Sequence, residues 1–283
     1  MSDNDGEFEE LRATAHRLAA EAAAFVRARR REVFGAGSAD GGLGAVAAKS
    51  TPTDPVTVVD TETERLLRER LAELRPGEQV LGEEEGGAAE LRAGELTWVL
   101  DPIDGTVNFV YGIEAYAVSV AVQRDGESVA GAVADVAGGD VYSAARGGGA
   151  QVLRDGAATP LRCSAVDRLP MALLGTGFAY APDRRRRQAE LLVELLPQVR
   201  DVRRIGSCAL DLCMVAAGRL DVYYEDGVNV WDWAAGALIA AEAGATVTLP
   251  PPAGPVGGAG LVAAAAPGVA AEFDDALRRV GVR

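Results

Sequence analysis

The sequence predicts a mixed fold of the α+β and α/β kinds, with an antiparallel sheet in its first half and alternating strands and helices in its second. Between Glu78 and Ala145, short strand-like runs follow one another across turn residues such as Asp125-Gly126. Strands joined in this way are expected to pair as antiparallel neighbours. After about Arg162, strand patterns alternate with helix patterns, which is typical of α/β units.

Two helices are expected ahead of the first sheet. Apolar residues recur at helical spacing from Phe8 to Phe34, and the glycine-rich segment Gly35 to Gly44 then predicts a loop. A second helix begins near Thr57, because Thr57 and Asp60 have the spacing of a capping box, and it stops at Arg75-Pro76-Gly77. Asp60 is therefore expected in the first turn of this helix.

The later elements fall into two sets. The strands predicted in the first half are Glu78 to Leu81, Leu96 to Asp101, Tyr116 to Gln123, Val129 to Val136 and Val141 to Ala145. The second half is predicted to hold strand Met171 to Thr176, helix Asp183 to Leu196, strand Val199 to Arg204, helix Ser207 to Ala217, strand Asp221 to Glu225, helix Trp231 to Ala243 and strand Leu261 to Ala265. A loop from Pro250 to Gly258 precedes that strand, and Pro267 is expected to open a last helix. We expect two subdomains, residues 1–160 and 161–283.

Length, charge and cysteine content exclude several classes of protein. The 283 residues are 48% hydrophobic, as in a globular protein. The formal net charge of -14 would repel a phosphate backbone, so no nucleic-acid partner is expected. The three cysteines show no CxxC spacing, and we expect them to be reduced in a cytoplasmic protein. No secretory leader is recognised, and the apolar stretch Gly260 to Ala271 is too short to span a bilayer, so no membrane partner is expected.

Carboxylates are concentrated in three segments at strand ends or helix starts. These segments are Gly82 to Gly86, Asp101 to Thr106 and Trp231 to Trp233. Mg²⁺ prefers oxygen ligands, typically one or two carboxylates per ion with waters and substrate phosphate oxygens. A cluster of Glu83, Asp101, Asp104 and Asp232 would hold two ions about 3.5 to 4 Å apart, which suits an in-line displacement.

The middle segment has further features of a phosphate site. Pro102 fixes the chain just past the strand, Gly105 lets the backbone approach a ligand closely, and Thr106 supplies a hydroxyl. Each feature also has an ordinary structural alternative. Asp-Gly is a common turn, Asp101 can end a strand, the tryptophans beside Asp232 suit a core, and a run of glutamates suits a solvated loop. The combination favours a metal site.

Lys49 is the single lysine among 28 basic residues. Its ammonium is a compact point charge that can lie near a phosphate or a metal-bound water without the planar fork of arginine. The alternative is an ordinary surface lysine in an arginine-rich composition.

Taken in order, these segments resemble the inositol monophosphatase family of lithium-sensitive, Mg²⁺-dependent phosphatases. The matching pieces, which span roughly Phe8 to Ala245, are Lys49 with Asp54 to Asp60, Gly82-Glu83-Glu84, Trp98 to Thr106 continuing into Asn108-Phe109, and Tyr223-Tyr224-Glu225 with Trp231-Asp232. The resemblance implies a layered αβαβα sandwich of the sugar phosphatase type, a homodimer, and direct attack of water without a phosphoenzyme.

The resemblance also implies two to three bound Mg²⁺ ions and a pair of residues that activates water. The first ion would be held by Glu83, Asp101 and the Ile103 carbonyl, and the second by Asp101, Asp104 and Asp232, while Glu83 would also face a third, weaker ion. Asp60 and Thr106 would orient and deprotonate the attacking water, with Glu83 assisting.

The remaining implied roles concern the substrate. Asp104, Gly105 and Thr106 would contact it, and Glu225 would accept a hydrogen bond from one of its hydroxyls. Lys49 and Glu84 would support the metal loop. Cys208 would also lie near the substrate, and it departs from the small Ala or Ser expected there, which leaves the substrate preference open.

The expected activity is hydrolysis of a small phosphorylated polyol, with myo-inositol 1-phosphate as the first hypothesis. Histidinol phosphate, fructose 1,6-bisphosphate and 3'-phosphoadenosine 5'-phosphate remain alternatives, as does a non-catalytic regulatory protein on the same scaffold. A haloacid dehalogenase mechanism is disfavoured, because that loop reads Asp-x-Asp-Gly-Thr and this one reads Asp-x-x-Asp-Gly-Thr. A Ser-His-Asp hydrolase is disfavoured because the only histidine, His16, lies within the first helix.

Overall fold

A computed structural model describes residues 3–35, 46–49, 55–87, 92–253 and 256–282 of the chain. The helices within these ranges are α1 Asp3–Phe34, α2 Val58–Leu74, α3 Thr106–Tyr111, α4 Pro182–Leu195, α5 Cys208–Ala216, α6 Val230–Glu242 and α7 Ala270–Arg279. The strands are β1 Val46–Ala48, β2 Pro55–Thr57, β3 Gln79–Gly82, β4 Gly86–Gly87, β5 Leu96–Asp104, β6 Ala117–Arg124, β7 Glu127–Asp135, β8 Val141–Ala145, β9 Gly149–Arg154, β10 Ala157–Pro160, β11 Leu173–Thr176, β12 Asp201–Arg203, β13 Val222–Val228, β14 Thr246–Thr248 and β15 Gly260–Ala265. Most of the loop predicted from Gly35 to Gly44 lies outside the described residues, as does part of the Pro250 to Gly258 loop.

Two large sheets form the framework. The first has eight strands in the order β10-β9-β8-β7-β6-β5-β3-β4, and the second has five in the order β12-β11-β13-β15-β14. In the second sheet β11 runs parallel to β12 and β13, whereas β15 is antiparallel to β13 and β14. β1 and β2 form a separate two-stranded sheet.

Three apolar clusters join five layers of helices and sheets. One joins α1 and α2 to the first sheet through buried side chains such as Leu18, Val59 and Trp98. A second joins the other face of that sheet to α5, α6 and the inner face of the second sheet, and a third covers the outer face of the second sheet with α4 and α7. The predicted αβαβα sandwich is therefore confirmed, and α5 and α6 form its middle layer.

The structure corrects the sequence prediction in two places. The first sheet is not wholly antiparallel, because β3 runs parallel to β5. The segment between them is long enough to return to the same end of the sheet, and part of it folds back as β4 against β3. Pro267 does not open the last helix: it lies in the turn after β15, and α7 begins only at Ala270, behind Val269 as its N-cap.

No helix in the described ranges is both long and apolar enough to span a bilayer.

Candidate active site

A bulge at the end of β5 brings two aspartates to one side of the first sheet. Asp101 pairs with Ser119 of β6 and Asp104 with Ala117, so three steps along β5 oppose two steps along β6. Residues three apart on a regular strand point to opposite faces, but the extra residue turns Asp104 back to the side of Asp101. Pro102 lies at this break in the hydrogen bonding between β5 and β6, where the N–H that proline lacks is not needed. The Ile103 N–H then donates to Asp101 Oδ1 at 3.0 Å.

The third aspartate comes from the second half of the chain. Asp232 lies in the first turn of α6, where it forms a capping box with Asn229 and accepts a hydrogen bond from the Asn229 N–H at 2.5 Å. One carboxylate oxygen from each of Asp101, Asp104 and Asp232 lies within 4.8 Å of the other two. The structure thus brings together three of the four carboxylates predicted to bind metal as one tight cluster.

The fourth carboxylate lies in the loop after β3. Lys49 Nζ donates to Glu83 Oε1 at 2.8 Å and to Glu84 Oε1 at 2.5 Å. Burial disfavours the ammonium, but the carboxylates of Glu83 and Glu84 together outweigh burial and raise the pKa of Lys49. Lys49 is therefore an ion-pair partner of this loop in the structure and not a free surface lysine.

Asp60 and Thr106 meet beside this cluster. Asp60 is fully buried, and its Oδ2 accepts the Thr57 N–H at 3.0 Å as part of the predicted capping box. The Thr106 hydroxyl lies 3.2 Å from Asp60 Oδ1 and 3.0 Å from the Ile103 carbonyl. A hydroxyl carries one proton and donates to one of these oxygens at a time. The capping box therefore fixes the carboxylate that faces Thr106.

Gly105 makes the turn between β5 and α3. It adopts φ 96°, and a Cβ at this position would lie 3.0 Å from the Ala115 and Gly206 carbonyl oxygens, so a side chain has neither the conformation nor the space. Asn108 donates from Nδ2 to the Ala115 carbonyl at 2.7 Å and to the Ile205 carbonyl at 2.9 Å. These contacts tie α3 to the loop that precedes α5.

The N-terminal end of α5 holds Asp104 in place. Ser207, the N-cap, donates its hydroxyl to Asp104 Oδ2 at 2.6 Å, and the Ala209 N–H donates to the same oxygen at 2.7 Å. The other oxygen of Asp104 makes neither contact. Cys208 lies between these donors, and burial raises the pKa of its thiol well above the usual value, so the thiolate is disfavoured.

Glu225 lies on β13 and lines one cavity together with Asp101, Asp104 and Asp232. Its Oε2 accepts a hydrogen bond from the Tyr223 hydroxyl at 2.8 Å. Burial raises the pKa of Glu225, and the contacts with Tyr223 and Arg204 oppose that rise.

Burial raises the pKa of Asp60, Asp101, Asp104 and Asp232. The pKa of Asp101 and Asp232 rises well above the usual value, because burial is reinforced by Glu83 at Asp101 and by Asp104 at Asp232. Burial raises the pKa of Asp104 to about 6 against the hydrogen bonds from Ser207 and Ala209. It raises the pKa of Asp60 to about 6 against the hydrogen bonds from Thr57.

This cluster fits a hard divalent cation. Its donors are all carboxylate oxygens, and like charges are crowded in a buried place where each raises the free energy of the others. A cation relieves that repulsion, and Mg²⁺ takes just such oxygen ligands.

The cluster forms the bottom of a cavity of about 310 Å³. Of the predicted site residues, all but Asp60 and Glu84 line it; these two lie directly behind lining residues, against Thr106 and Lys49. We call Glu83, Asp101, Asp104 and Asp232 the carboxylate floor. We call a second group of lining residues, Phe178 to Ala181, Arg184, Arg204 and Glu225, the outer wall.

Sequence reasoning missed most of the outer wall. The sequence pattern places Arg204 at the end of a predicted strand and gives Arg184 no role in a site. Arg204 stands two residues before Gly206 and three before the N-cap Ser207, and a helix start of this kind is the signal available in the sequence. The segment Phe178 to Ala181 carries no local signal of a site.

Comparisons with known proteins agree with this geometry. The model of the inositol monophosphatase family matches residues 7–279. The chain is 68% identical over 282 residues to the inositol-1-monophosphatase of Mycobacterium leprae strain TN, covering 99% of this chain and 97% of that protein. It is similar to the solved structure of Mycobacterium tuberculosis SuhB, with a TM-score of 0.81, 60% identity, and 96% and 97% of the two chains covered. A Staphylococcus aureus inositol monophosphatase-II structure bound to inositol monophosphate matches with a TM-score of 0.73, 27% identity, and 95% and 94% of the two chains covered.

Proposed function

The chain belongs to the inositol monophosphatase family of phosphatases, and we propose that it hydrolyses myo-inositol 1-phosphate to inositol and phosphate in a magnesium-dependent reaction. The observation that carries the proposal is the carboxylate cluster of Asp101, Asp104 and Asp232 at the bottom of a cavity about 310 Å³ in volume. That volume is at the small end of the range for small-molecule sites and suits a ligand the size of a phosphorylated cyclitol.

The proposed ligand sets are those that the family resemblance implies, and the clustering of Asp101, Asp104 and Asp232 supports the second of them. Glu83, Asp101 and the Ile103 carbonyl would bind one Mg²⁺, and Asp101, Asp104 and Asp232 a second, with Glu83 also facing a third. Bound there, Mg²⁺ supplies acidified water and neutralises the charge that develops on the phosphoryl oxygens. The crowding of buried carboxylates supports this assignment, because it is costly without a cation.

Asp60 and Thr106 are the proposed water-activating pair. When the Thr106 hydroxyl donates to Asp60 Oδ1, its oxygen is left as an acceptor for a proton from water. The pKa of Asp60, which burial raises to about 6, suits an acceptor working near neutral pH. Water lying against Thr106 would thus be oriented toward the phosphorus and lose its proton to this pair, with Glu83 assisting.

Substrate contacts are proposed at both sides of the cavity. Asp104, Gly105 and Thr106 would face the phosphate end of the substrate. Glu225 accepts one hydrogen bond from Tyr223 and has further lone pairs for a substrate hydroxyl. The buried Cys208 thiol beside Asp104 would pack against the ring and act as neither nucleophile nor metal ligand.

A substrate panel tests the proposal directly. Phosphate release would be measured from myo-inositol 1-phosphate, histidinol phosphate, fructose 1,6-bisphosphate and 3'-phosphoadenosine 5'-phosphate over a range of Mg²⁺ concentrations. We expect inositol 1-phosphate to have the highest kcat/KM. Much faster cleavage of histidinol phosphate would mean that histidinol phosphate, and not inositol 1-phosphate, is the preferred substrate. No turnover of any ester at any Mg²⁺ concentration would favour a regulatory protein on the same scaffold.

Further properties are proposed from family membership. We propose a cytoplasmic homodimer that is inhibited by lithium, with two to three Mg²⁺ ions per chain. The division into subdomains 1–160 and 161–283 stays a prediction. Light scattering in solution would test the dimer, and unchanged activity at high lithium would argue against the ion arrangement given above.

A further inference from the structure

α2 carries a second buried carboxylate one helical turn beyond Asp60. Glu64 is 0% exposed, as is Asp60. Because residues four apart lie on the same face of a helix, both side chains leave α2 toward the first sheet. Asp60 reaches Thr106, whereas Glu64 reaches the loop after β3 that carries Glu83.

The Glu64 carboxylate binds the backbone of that loop. Its Oε2 accepts the Glu84 N–H at 2.8 Å, and its Oε1 accepts the Glu85 N–H at 3.0 Å. Arg68, one turn further along α2, donates from Nε to Glu64 Oε1 at 2.9 Å. Arg68 also donates to the Gly86 carbonyl, so the loop is held from α2 through both its N–H and its C=O groups. A buried carboxylate is stable only with such partners, and here its partners are the metal loop itself.

The end of β3 is shaped to receive this carboxylate. A Cβ at Gly82 would lie 2.1 Å from Glu64 Oε1 and 2.3 Å from its Cδ. Only a bare backbone lets the Glu64 carboxylate come this close to the loop. Glu64 and Gly82 therefore fit each other in a way that the ordinary packing of a helix on a sheet does not require.

Hydrogen bonds to β5 and to α2 hold the backbone at Glu83 in place. The Glu83 N–H donates to the Leu100 carbonyl of β5 at 3.1 Å, and the next two N–H groups are held by Glu64. The Glu83 carboxyl is left to contact Lys49 and the Asp101 carboxyl. Glu64 itself does not line the cavity.

We propose that Glu64 is a positioning residue of the metal site, which holds the loop Glu83 to Glu85 so that the Glu83 carboxylate faces Asp101. The proposal rests on the metal-dependent function proposed above. Glu64 contributes no atom to the metal, and its effect passes through the backbone of the loop. Removal of partners that orient metal ligands typically weakens metal binding by roughly 10- to 100-fold.

The test compares Glu64→Gln with Glu69→Gln, which changes an exposed glutamate on the same helix whose side chain is 67% exposed. Calorimetric titration of the metal-free proteins with Mg²⁺ gives the affinity without any turnover. We expect roughly tenfold weaker Mg²⁺ binding for Glu64→Gln and an unchanged Mg²⁺ affinity for the control. In phosphate release, the half-saturating Mg²⁺ concentration should rise by the same factor, with kcat at saturating Mg²⁺ and KM for the ester nearly unchanged.

A purely structural role predicts a different result. A Glu64→Gln protein with a lower melting temperature but wild-type Mg²⁺ affinity would overturn the proposal. If Glu64→Gln does not fold, Arg68→Gln keeps the carboxylate and removes the guanidinium, and a smaller loss of Mg²⁺ affinity is expected. Wild-type affinity in that variant would equally overturn it. A wild-type protein that binds Mg²⁺ but releases no phosphate would overturn only the proposed function, because the calorimetric comparison needs no reaction.

Discussion

The carboxylate floor and the outer wall of the cavity differ in how their side chains are held. Each aspartate of the floor accepts a backbone N–H, which comes from Ile103, Ala209 and Asn229 for Asp101, Asp104 and Asp232 respectively. In the outer wall, Arg184 is about half exposed and pairs with Asp226 at 3.2 Å between side chains. The floor is thus fixed by the fold, whereas part of the wall depends on pairs that solvent weakens.

This difference separates the rate of the reaction from the choice of substrate. A change in the floor should slow every substrate alike, because the proposed role of the floor is to act on the phosphate that all of them share. A change in the wall should alter the order of preference among substrates.

The largest effect is expected from Asp104→Asn. One oxygen of Asp104 is held by the Ser207 hydroxyl and the Ala209 N–H, so the amide keeps a similar shape but one metal loses a charged ligand. Turnover should fall about 1000-fold, or about 4 kcal/mol of transition-state stabilisation, for every ester tested. Phosphate release measures the loss, circular dichroism checks the fold, and exposed Asp167→Asn is the control. A loss confined to one ester would contradict the role given to the floor.

The next effect is expected from Thr106→Ala. The substitution removes the hydroxyl between Asp60 and the Ile103 carbonyl but leaves the carboxylate floor intact. The rate should fall on the order of 100-fold, while the Mg²⁺ affinity measured by calorimetry changes little. Thr106→Ser, which restores the hydroxyl, should recover most of the rate. Equal rates for Thr106→Ala and the wild-type protein would remove Thr106 from the mechanism.

A smaller and selective effect is expected from Glu225→Gln in the outer wall. If Glu225 accepts a hydrogen bond from a substrate hydroxyl, kcat/KM for inositol 1-phosphate should fall about tenfold, which corresponds to roughly 1.4 kcal/mol. Hydrolysis of p-nitrophenyl phosphate, which has no such hydroxyl, should hardly change. Equal losses with both esters would mean that Glu225 acts on the reaction itself and not on recognition.

The smallest effect concerns stability and pH. Burial raises the pKa of Asp60 and Asp104 to about 6 in the folded protein, above the value near 3.8 of an exposed aspartate. The folded state then binds more protons than the unfolded state. The contribution of these two groups to the free energy of unfolding is therefore fully present below about pH 4 and is lost as the pH rises through about 6. The metal-free protein should melt a few degrees higher at pH 5 than at pH 7.5. Saturating Mg²⁺ should abolish or reverse this trend, and scanning calorimetry measures both curves.

The sequence predicts the floor better than the wall, for physical reasons. The capping boxes at Thr57 and Asn229 and the bulged end of β5 are local patterns, so the positions of Asp60, Asp101 and Asp104 follow from neighbours in the chain. The parallel pairing of β3 with β5, and the approach of Arg184 and Arg204 to the cavity, depend on residues far apart in sequence. Local patterns carry no information about such pairings.

The sequence predicts the position of Glu64 only in part. Asp60, Glu64 and Arg68 are spaced four apart on α2, which is the pattern of a polar stripe on one helix face. That stripe can be found in the sequence, but its partner cannot, because nothing local links Glu64 to the backbone beyond Gly82.

The contact between Asp104 and Ala209 joins groups 105 residues apart in the chain. During synthesis on the ribosome the first sheet emerges well before α5 and α6, so the growing chain holds Asp101 and Asp104 without Asp232 and without Ser207 and Ala209, the donors that orient Asp104. The cluster of three aspartates is therefore complete only after α6 has been synthesised. Under the proposed function, a cation bound by Asp101, Asp104 and Asp232 would cross-link two segments that are far apart in the chain and would close a long loop in the folded state.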